Sequence, residues 1–170
     1  MGLVRVKRDA GSGRQRLAFA APPLRRSGPL EAEVLAQIVA ALKIDAGEVQ
    51  HHQWVDNGPG WCAVMLASGE RVRSLKPDFV AMAALKLGVI GAQAAGSATQ
   101  FEVRAFVPGL SVAEDPVTGS LNAGLAQWLI GAGLAPPSYT AVQGTALGRD
   151  GRVFVQRDNA GDIWVGGDVA

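Results

Sequence analysis

The chain has 170 residues, enough for one ordinary domain with a real hydrophobic core. Its 16 basic and 15 acidic residues give a formal charge of +1, and the scattered basic residues argue against nucleic acid as a partner. No apolar run reaches the roughly 18 residues that a membrane span needs, and the N-terminus lacks the apolar stretch of a signal peptide. We therefore expect a cytoplasmic protein with no membrane partner.

The N-terminal part of the chain is predicted to form a β-hairpin followed by a helix. Residues 3–8 and 16–20 alternate in polarity as strands do, and the stretch 10–13 between them is typical of a turn. Two consecutive prolines then end the hairpin, because proline cannot donate to a sheet ladder. A serine and a proline at N-cap and first-turn positions begin a helix over 29–42, in which apolar residues recur at helical spacing.

The middle of the chain is predicted to consist of strands around one short helix. The segment from Asp56 to Gly60 contains an Asn57-Gly58 pair, which is a strong signal for the turn of a hairpin. Apolar residues on both sides of that turn, and alternation farther along, indicate further strands. The strands are predicted at 49–55, 61–66, 87–92 and 100–107, and the short helix at 77–86.

The last third contains the clearest helical pattern. A loop over 108–118 leads into a helix over 120–131, whose apolar residues follow the spacing of a buried stripe. Short strands interrupted by a few helices indicate a single domain with an α+β fold, in which a curled sheet wraps a helix. Three final strands are predicted at 139–143, 152–157 and 162–165.

The residues just before this last helix carry the strongest chemical signal. Residues 114–122 bring two carboxylates, a proline, a glycine and two hydroxyls to the start of the helix. Free amides at a helix N-terminus carry the positive end of its dipole, and Gly119 has no side chain to block an approaching carboxylate. Two interpretations stay open. The segment is either a carboxylate-binding site with hydroxyls from Thr118 and Ser120, or a simple cap with Asp115 in the preceding turn.

Three sequence segments occur together in the order found in one known family. They are PGWCAVML at 59–66, FVPGLSVAEDPVTGS at 106–120 and QGTALGRDGRVFV at 143–155. With them the chain resembles the PhzF-like isomerases, the family of the phenazine-biosynthesis isomerase and relatives of diaminopimelate epimerase, over nearly its whole length. The resemblance implies half of a diaminopimelate epimerase-like fold, which is a mostly antiparallel, barrel-like sheet around a central helix.

The same resemblance implies that residues 1–170 are one domain equivalent to the C-terminal half of such a protein. Residues 1–21 would then be a hairpin from the junction with an N-terminal half. The family's catalytic glutamate, which shuttles a proton between two carbons, belongs to that other half and is not found here. We therefore expect as a partner either a separate N-terminal half or a second copy of this chain in a homodimer.

Carried over residue by residue, the resemblance implies roles in catalysis and binding. Asp115 matches the aspartate that positions the substrate, and Gly119 and Ser120 match the backbone and hydroxyl that bind its carboxylate. No cofactor and no metal are implied. The expected catalytic residues are Asp115 and Ser120, and the expected substrate-binding residues are Gly119, Ser120, Thr118 and Asn57.

The sequence thus predicts a PhzF-like isomerase that moves a proton within a small carboxylate-bearing substrate and that is incomplete without the glutamate. The alternative is a non-catalytic binding or assembly domain that retains the fold and the anion pocket. One departure from the resemblance concerns Asn122 and Ala123, which stand where the best-studied relatives have a histidine and a cysteine.

Three further residues invite a functional interpretation but favour a structural one. His51 and His52 are neighbours in a predicted strand, so their side chains point to opposite faces and cannot hold one metal together. The single Cys62 cannot form an internal disulfide, and in an apolar strand it is predicted to be a small core residue.

Overall fold

The computed structural model describes residues 2–9 and 13–169 and has a mixed α/β fold built on one open sheet of ten strands. Its α-helices are α1 (Ala32–Leu42), α2 (Gly69–Ser74), α3 (Phe79–Met82) and α4 (Gly119–Gly131). Its strands are β1 (Val6–Asp9), β2 (Arg16–Ala20), β3 (His51–Trp54), β4 (Trp61–Leu66), β5 (Lys86–Ala92), β6 (Phe101–Phe106), β7 (Glu114–Asp115), β8 (Ser138–Gln143), β9 (Gly151–Arg157) and β10 (Ile163–Asp168).

The strand order brings together segments that are far apart in the sequence. It runs β1-β2-β10-β9-β8-β6-β5-β4-β3, with β7 paired to β6 outside this path. Neighbouring strands are antiparallel except for β4 with β5 and β6 with β8. On β6, Val103 pairs with Gln143 and Ala105 pairs with Asp115. Residues 115 and 143 are therefore neighbours along the same end of β6.

Most predicted elements are present within a few residues of their predicted bounds, and the predicted turn at 10–13 lies mostly outside the described residues. The helix predicted at 77–86 was too long. Helix α3 is a single turn, because Ala83 leaves the helical conformation with φ 54°, and Lys86 already belongs to β5. Helix α2 was not predicted, since six residues are too few to show helical periodicity.

Alternating side chains give the sheet two buried faces, each with its own apolar core. On the face that we call inner, α4 packs with residues of six strands, β4, β5, β6, β8, β9 and β10. On the outer face, α1, α2 and α3 cover the alternate residues of β4, β5 and β6. The inner cluster includes Leu121, Leu125 and Leu129 of α4, and the outer cluster includes Ile38, Val72 and Met82 of the three short helices.

Two glycines allow α4 to approach its neighbours closely. A Cβ atom on Gly124 of the helix would collide with the backbone carbonyl oxygen of Val55, and one on Gly88 of β5 would lie 2.5 Å from Leu121 Cδ1. The obstacle at Gly124 is backbone, so that position needs a residue without a side chain, whereas a larger residue at Gly88 would require the Leu121 side chain to move. The depth of α4 against the inner face is therefore limited by the backbone contact at Gly124.

Within residues 2–9 and 13–169, no helix combines the length and the apolar character that crossing a membrane requires.

Candidate active site

Helix α4 begins at Gly119 without a side-chain cap. Thr118 holds the N-cap position in an extended conformation (φ −124°, ψ 104°), but its side chain makes no capping hydrogen bond to the helix. Within residues 2–9 and 13–169, the amides of Gly119 and Ser120 have no hydrogen-bond acceptor. Such unpaired amides carry the positive end of the helix dipole, so this helix end can receive an anion.

Asp115 lies beside this helix end at the close of β7. Its Oδ2 accepts a hydrogen bond of 2.6 Å from the hydroxyl of Thr118, which explains why that hydroxyl does not cap the helix. The side chain is half-buried, and its Oδ1 has no hydrogen-bond partner within the described part of the chain. One carboxylate oxygen is thus held by the protein, while the other is available to a ligand.

Ser120 and Asn57 are also in contact at the start of α4. The indole Nε1 of Trp61 donates to Ser120 Oγ at 2.9 Å, so the serine hydroxyl keeps its own proton for donation. The side-chain amide of Asn57 donates to the backbone oxygen of Ser120 at 2.9 Å. Asp56 fixes the Asn57 turn, since its Oδ1 accepts from the amides of Gly58 and Gly60 at 2.7 Å. Asn57 therefore supports the helix end from the side.

The ring of Phe19, from β2, lies over Gly119. A Cβ atom at position 119 would be 3.3 Å from Phe19 Cε1, a tighter contact than most Cβ atoms make. A larger residue would push the ring or the helix end aside. Glycine at this position thus serves close packing against β2 as well as access to the backbone amides.

Two buried polar residues, Gln143 and Asn122, complete the site. The sequence motifs do not single out Gln143, and they mark Asn122 only as a departure from relatives. The side chain of Gln143 is 0 % exposed and contacts Asp115, Thr118 and Asn122. A signal for it does exist in the sequence. Along β8, Tyr139 and Ala141 face the inner core, so the alternation places Gln143 on the same buried face, where a polar group needs partners.

Cys62 and His52 lie away from this site. Cys62 belongs to the outer core, where burial raises the pKa of its thiol to about 12, and its Sγ lies 3.4 Å from the carbonyl of Lys86. An inert thiol is the expected behaviour of a buried cysteine. His52 Nδ1 accepts a hydrogen bond from the amide of Leu30 and so ties the start of α1 to β3.

The sequence and the fold of this chain correspond to a known class of proteins. The sequence profile of the PhzC-PhzF family, described as phenazine biosynthesis-like proteins, matches residues 1–167. The chain belongs to this family. The expectation drawn from the three sequence segments is thereby confirmed.

Relatives and solved structures agree with this assignment. The chain is 31% identical over 147 residues to the protein named uncharacterized isomerase YddE of Escherichia coli strain K12, a match that covers 77% of this chain and 50% of that protein. The chain thus spans about half the length of such relatives. Two solved PhzF-family structures share its fold. The Enterococcus faecalis structure has a TM-score of 0.70 at 24% identity, and the Bacillus anthracis structure has a TM-score of 0.73 at 14% identity.

The chain covers part of each of these structures as well. The match with the Enterococcus faecalis structure includes 95% of this chain but only 56% of that protein. The match with the Bacillus anthracis structure includes 99% of this chain but only 64% of that protein. Both structures therefore contain a large further region beyond the region that matches this chain.

Proposed function

We propose that this chain forms one wall of the active site of an isomerase that moves a proton within a small carboxylate-bearing substrate. The observation that carries the proposal is the uncapped start of α4, where the free amides of Gly119 and Ser120 stand next to Asp115. The amides bind the substrate carboxylate, and Asp115 accepts a hydrogen bond from a neighbouring donor on the substrate. Membership of a family whose relatives are named isomerases supports this chemistry.

The acid/base residue of the reaction is proposed to come from outside this chain. Within residues 2–9 and 13–169, the other carboxylate of the site segment, Glu114, is buried in an ion pair with Arg104 and is not available for proton transfer. A second polypeptide region that closes the cleft would bring the missing glutamate. The greater length of the relatives supports this arrangement.

The architecture that goes with this function is a sheet that curls like a barrel around α4 as its central helix. Six strands share one apolar cluster with α4, which supports the curl. We also propose that the protein acts in the cytoplasm.

The chain is further proposed to pair through the side that carries the helix end, either with a separate N-terminal half or with a second copy. Val117 and Leu147, on the loops beside the helix end, are 46% and 45% exposed, and a partner would cover them. Light scattering at micromolar concentration should give the mass of a dimer. A chain that stays monomeric when concentrated would exclude the homodimer but not the separate half.

Isotope exchange tests the proposed reaction. The chain is incubated in D₂O with small α-amino and α-hydroxy acids, with and without the N-terminal half of a relative as a separate polypeptide, and deuterium uptake is measured by mass spectrometry. We expect exchange only in the mixture. Asp115→Asn should reduce it by at least about 100-fold, because the substrate is no longer held for proton transfer.

The control is Glu70→Gln, since Glu70 is an exposed carboxylate of α2, which follows the end of β4 opposite to Trp61 and so lies away from the helix end. It should exchange at the wild-type rate, and both variants should unfold at the wild-type temperature. Equal losses of activity and melting temperature in Asp115→Asn would indicate a structural role. Binding of the acids without exchange in any mixture would favour the alternative, a non-catalytic binding domain.

A further inference from the structure

Four polar residues beside the start of α4 form a hydrogen-bonded cluster in which Gln143 has the central position. Thr118, Asn122 and Gln143 are 7%, 1% and 0% exposed, whereas Asp115 reaches the surface. Gln143 makes four hydrogen bonds to the other three residues, two through Oε1 and two through Nε2. All the hydrogen-bonding capacity of its amide is therefore used inside the protein.

Backbone groups fix the direction of these hydrogen bonds. The Thr118 amide, which can only donate, lies 3.1 Å from one end of the Gln143 side chain, so that end is the oxygen. The Asp115 carbonyl, which can only accept, lies 2.9 Å from the other end, so that end is the nitrogen. Asn122 agrees with this assignment, because its side-chain nitrogen donates to both the Thr118 carbonyl and Gln143 Oε1 at 2.8 Å.

The direction then passes from Gln143 through Thr118 to Asp115. Gln143 Nε2 donates to Thr118 Oγ1 at 3.0 Å, so the hydroxyl oxygen is an acceptor in that bond. Its single proton is left to point at Asp115 Oδ2, 2.6 Å away. A hydroxyl next to a second acceptor could turn its proton elsewhere, but here the glutamine nitrogen occupies that side. Asp115 is thereby held as an acceptor with Oδ1 toward the site.

We propose that Gln143 is a positioning residue, which acts through Thr118 to keep Asp115 oriented as a hydrogen-bond acceptor for the donor group beside the substrate carboxylate. This inference rests on the proposed function, because it assumes that a carboxylate binds at Gly119 and Ser120. It assigns to the buried glutamine a role in discriminating substrates, beyond its contribution to packing.

Two probe acids of equal charge separate these roles. Glycolate has a hydroxyl beside its carboxylate, and acetate lacks it. Both are titrated into the full chain while the amide resonances of Gly119 and Ser120 are followed by NMR. In the wild-type protein we expect glycolate to bind about fivefold more tightly than acetate, because Asp115 accepts its hydroxyl proton. In Gln143→Glu the ratio should fall to about one, since the new oxygen accepts the Thr118 proton. The ratio cancels the effect of the added charge on the binding of either acid.

A pair of substitutions at Thr118 tests the same path without changing Gln143, and carries the test should Gln143→Glu not fold. Thr118→Val removes the hydroxyl at nearly constant shape and should abolish the glycolate preference. Thr118→Ser keeps the hydroxyl and should retain it. Gln156→Glu, an exposed glutamine of β9 on the outer face of the sheet, is the charge control and should behave as wild type.

The outcomes distinguish this inference from the proposed function. If neither acid moves the Gly119 and Ser120 resonances, the carboxylate site is wrong and both proposals fall. If both acids bind but the wild-type protein shows no preference, or if the preference survives in Gln143→Glu and Thr118→Val, the positioning role is wrong and the carboxylate site stands. Equal weakening of both acids in Gln143→Glu, with the ratio unchanged, would reduce Gln143 to a structural residue.

Discussion

The two faces of the sheet differ in the charges that they bury beside their helices. On the inner face a single long helix, α4, lies against glycine contacts, and its polar cluster of Asp115, Thr118, Asn122 and Gln143 contains one carboxylate at the surface. On the outer face three short helices are held by an apolar core and by buried charges. Close glycine contacts occur on both faces, since a Cβ atom on Gly91 of β5 would collide with the backbone oxygen of Ser68 at the start of α2. The faces differ in charge, because the buried ion pairs lie on the face that does not carry the candidate site.

The adjacent carboxylates of β7 show this difference most clearly. Glu114 points to the outer face, where both of its oxygens accept from the guanidinium of Arg104 at 2.9 Å. Both side chains are under a tenth exposed. Asp115 points to the other side, where only one of its oxygens is bonded by the protein. The face to which a carboxylate points therefore decides whether it holds the fold or remains available to a ligand.

Breaking the buried ion pair between Arg104 and Glu114 should have the largest effect on stability. Arg104 also donates to the carbonyls of Val72 and Leu75 around the end of α2. Within the described residues, Arg104→Met therefore leaves Glu114 and the Leu75 carbonyl buried and unpaired, while the Val72 carbonyl keeps its bond from the Leu75 amide. We expect a loss of about 3–5 kcal/mol in the free energy of unfolding, measured by urea denaturation.

The matched control for this change is Arg152→Met, which breaks the exposed pair with Asp150. It should cost about 0–1 kcal/mol. Similar losses in the two variants would mean that the buried pair adds no more than a surface pair, and that the contrast between the faces is wrong.

A change in the packing of α4 should have an intermediate effect. Alanine at position 124 would be favoured by helix propensity, but its Cβ would collide with the Val55 carbonyl, so Gly124→Ala should destabilise by about 1–3 kcal/mol. Because the whole helix must shift outward, the amide resonances of Gly119 and Ser120 should move as well. Denaturation and NMR of the same variant measure the two effects.

The control in the same helix is Gly131→Ala, where nothing lies within 4 Å of the new Cβ. It should stabilise the protein by about 0.5–1 kcal/mol through helix propensity alone. A stabilising effect of Gly124→Ala would contradict the close contact with the Val55 carbonyl, because it would show that α4 has space for the added Cβ atom.

The smallest effect is expected from the pH dependence of Cys62. Burial raises the pKa of its thiol in the folded protein to about 12, whereas an unfolded cysteine titrates near 8.5. Between these values the unfolded chain binds fewer protons, so this contribution to stability is complete below about pH 8 and is lost as the pH rises. The loss at pH 9 should be less than about 1 kcal/mol.

Urea denaturation at pH 7 and pH 9 measures this loss, with Cys62→Ala as the reference that lacks the thiol. The wild-type protein should lose more stability between the two pH values than the variant does. Rapid labelling of the folded protein by iodoacetamide at pH 8 would contradict the burial of the thiol.

The sequence predicted those elements that are long enough to show periodic apolar spacing or that adjoin a strong turn signal. Helix α4 and the strands on either side of the Asn57 turn follow from apolar spacing, while α2 and α3 are too short to show it. Every predicted site residue lies at or beside the start of α4, because four of the five belong to one short segment. The contact between Asn57 and Ser120 depends on tertiary structure and could not be read from the sequence.

The partners of these residues could not be predicted for a related reason. Gln143 reaches Asp115 because β8 and β7 both pair with β6. Arg104 of β6 reaches Glu114 because β7 pairs with β6. The pairing of β6 with β8, two strands that α4 separates along the chain, depends on the whole sheet, and no local pattern specifies it. A polar residue on a buried face indicates that partners exist without saying which they are.

The hydrogen bond from Trp61 to Ser120 gives the protein an optical reporter of its own. The indole is buried, with 3% of its surface exposed, and its N–H donates to the hydroxyl of Ser120 at the helix end that we propose to bind an anion. Indole emission shifts with the electric field and with the hydrogen bond at Nε1, so a negative charge arriving beside Ser120 changes the fluorescence directly. With Trp54, Trp128 and Trp164 replaced by phenylalanine, the light emitted by this chain would report whether the helix end is occupied, without any added dye.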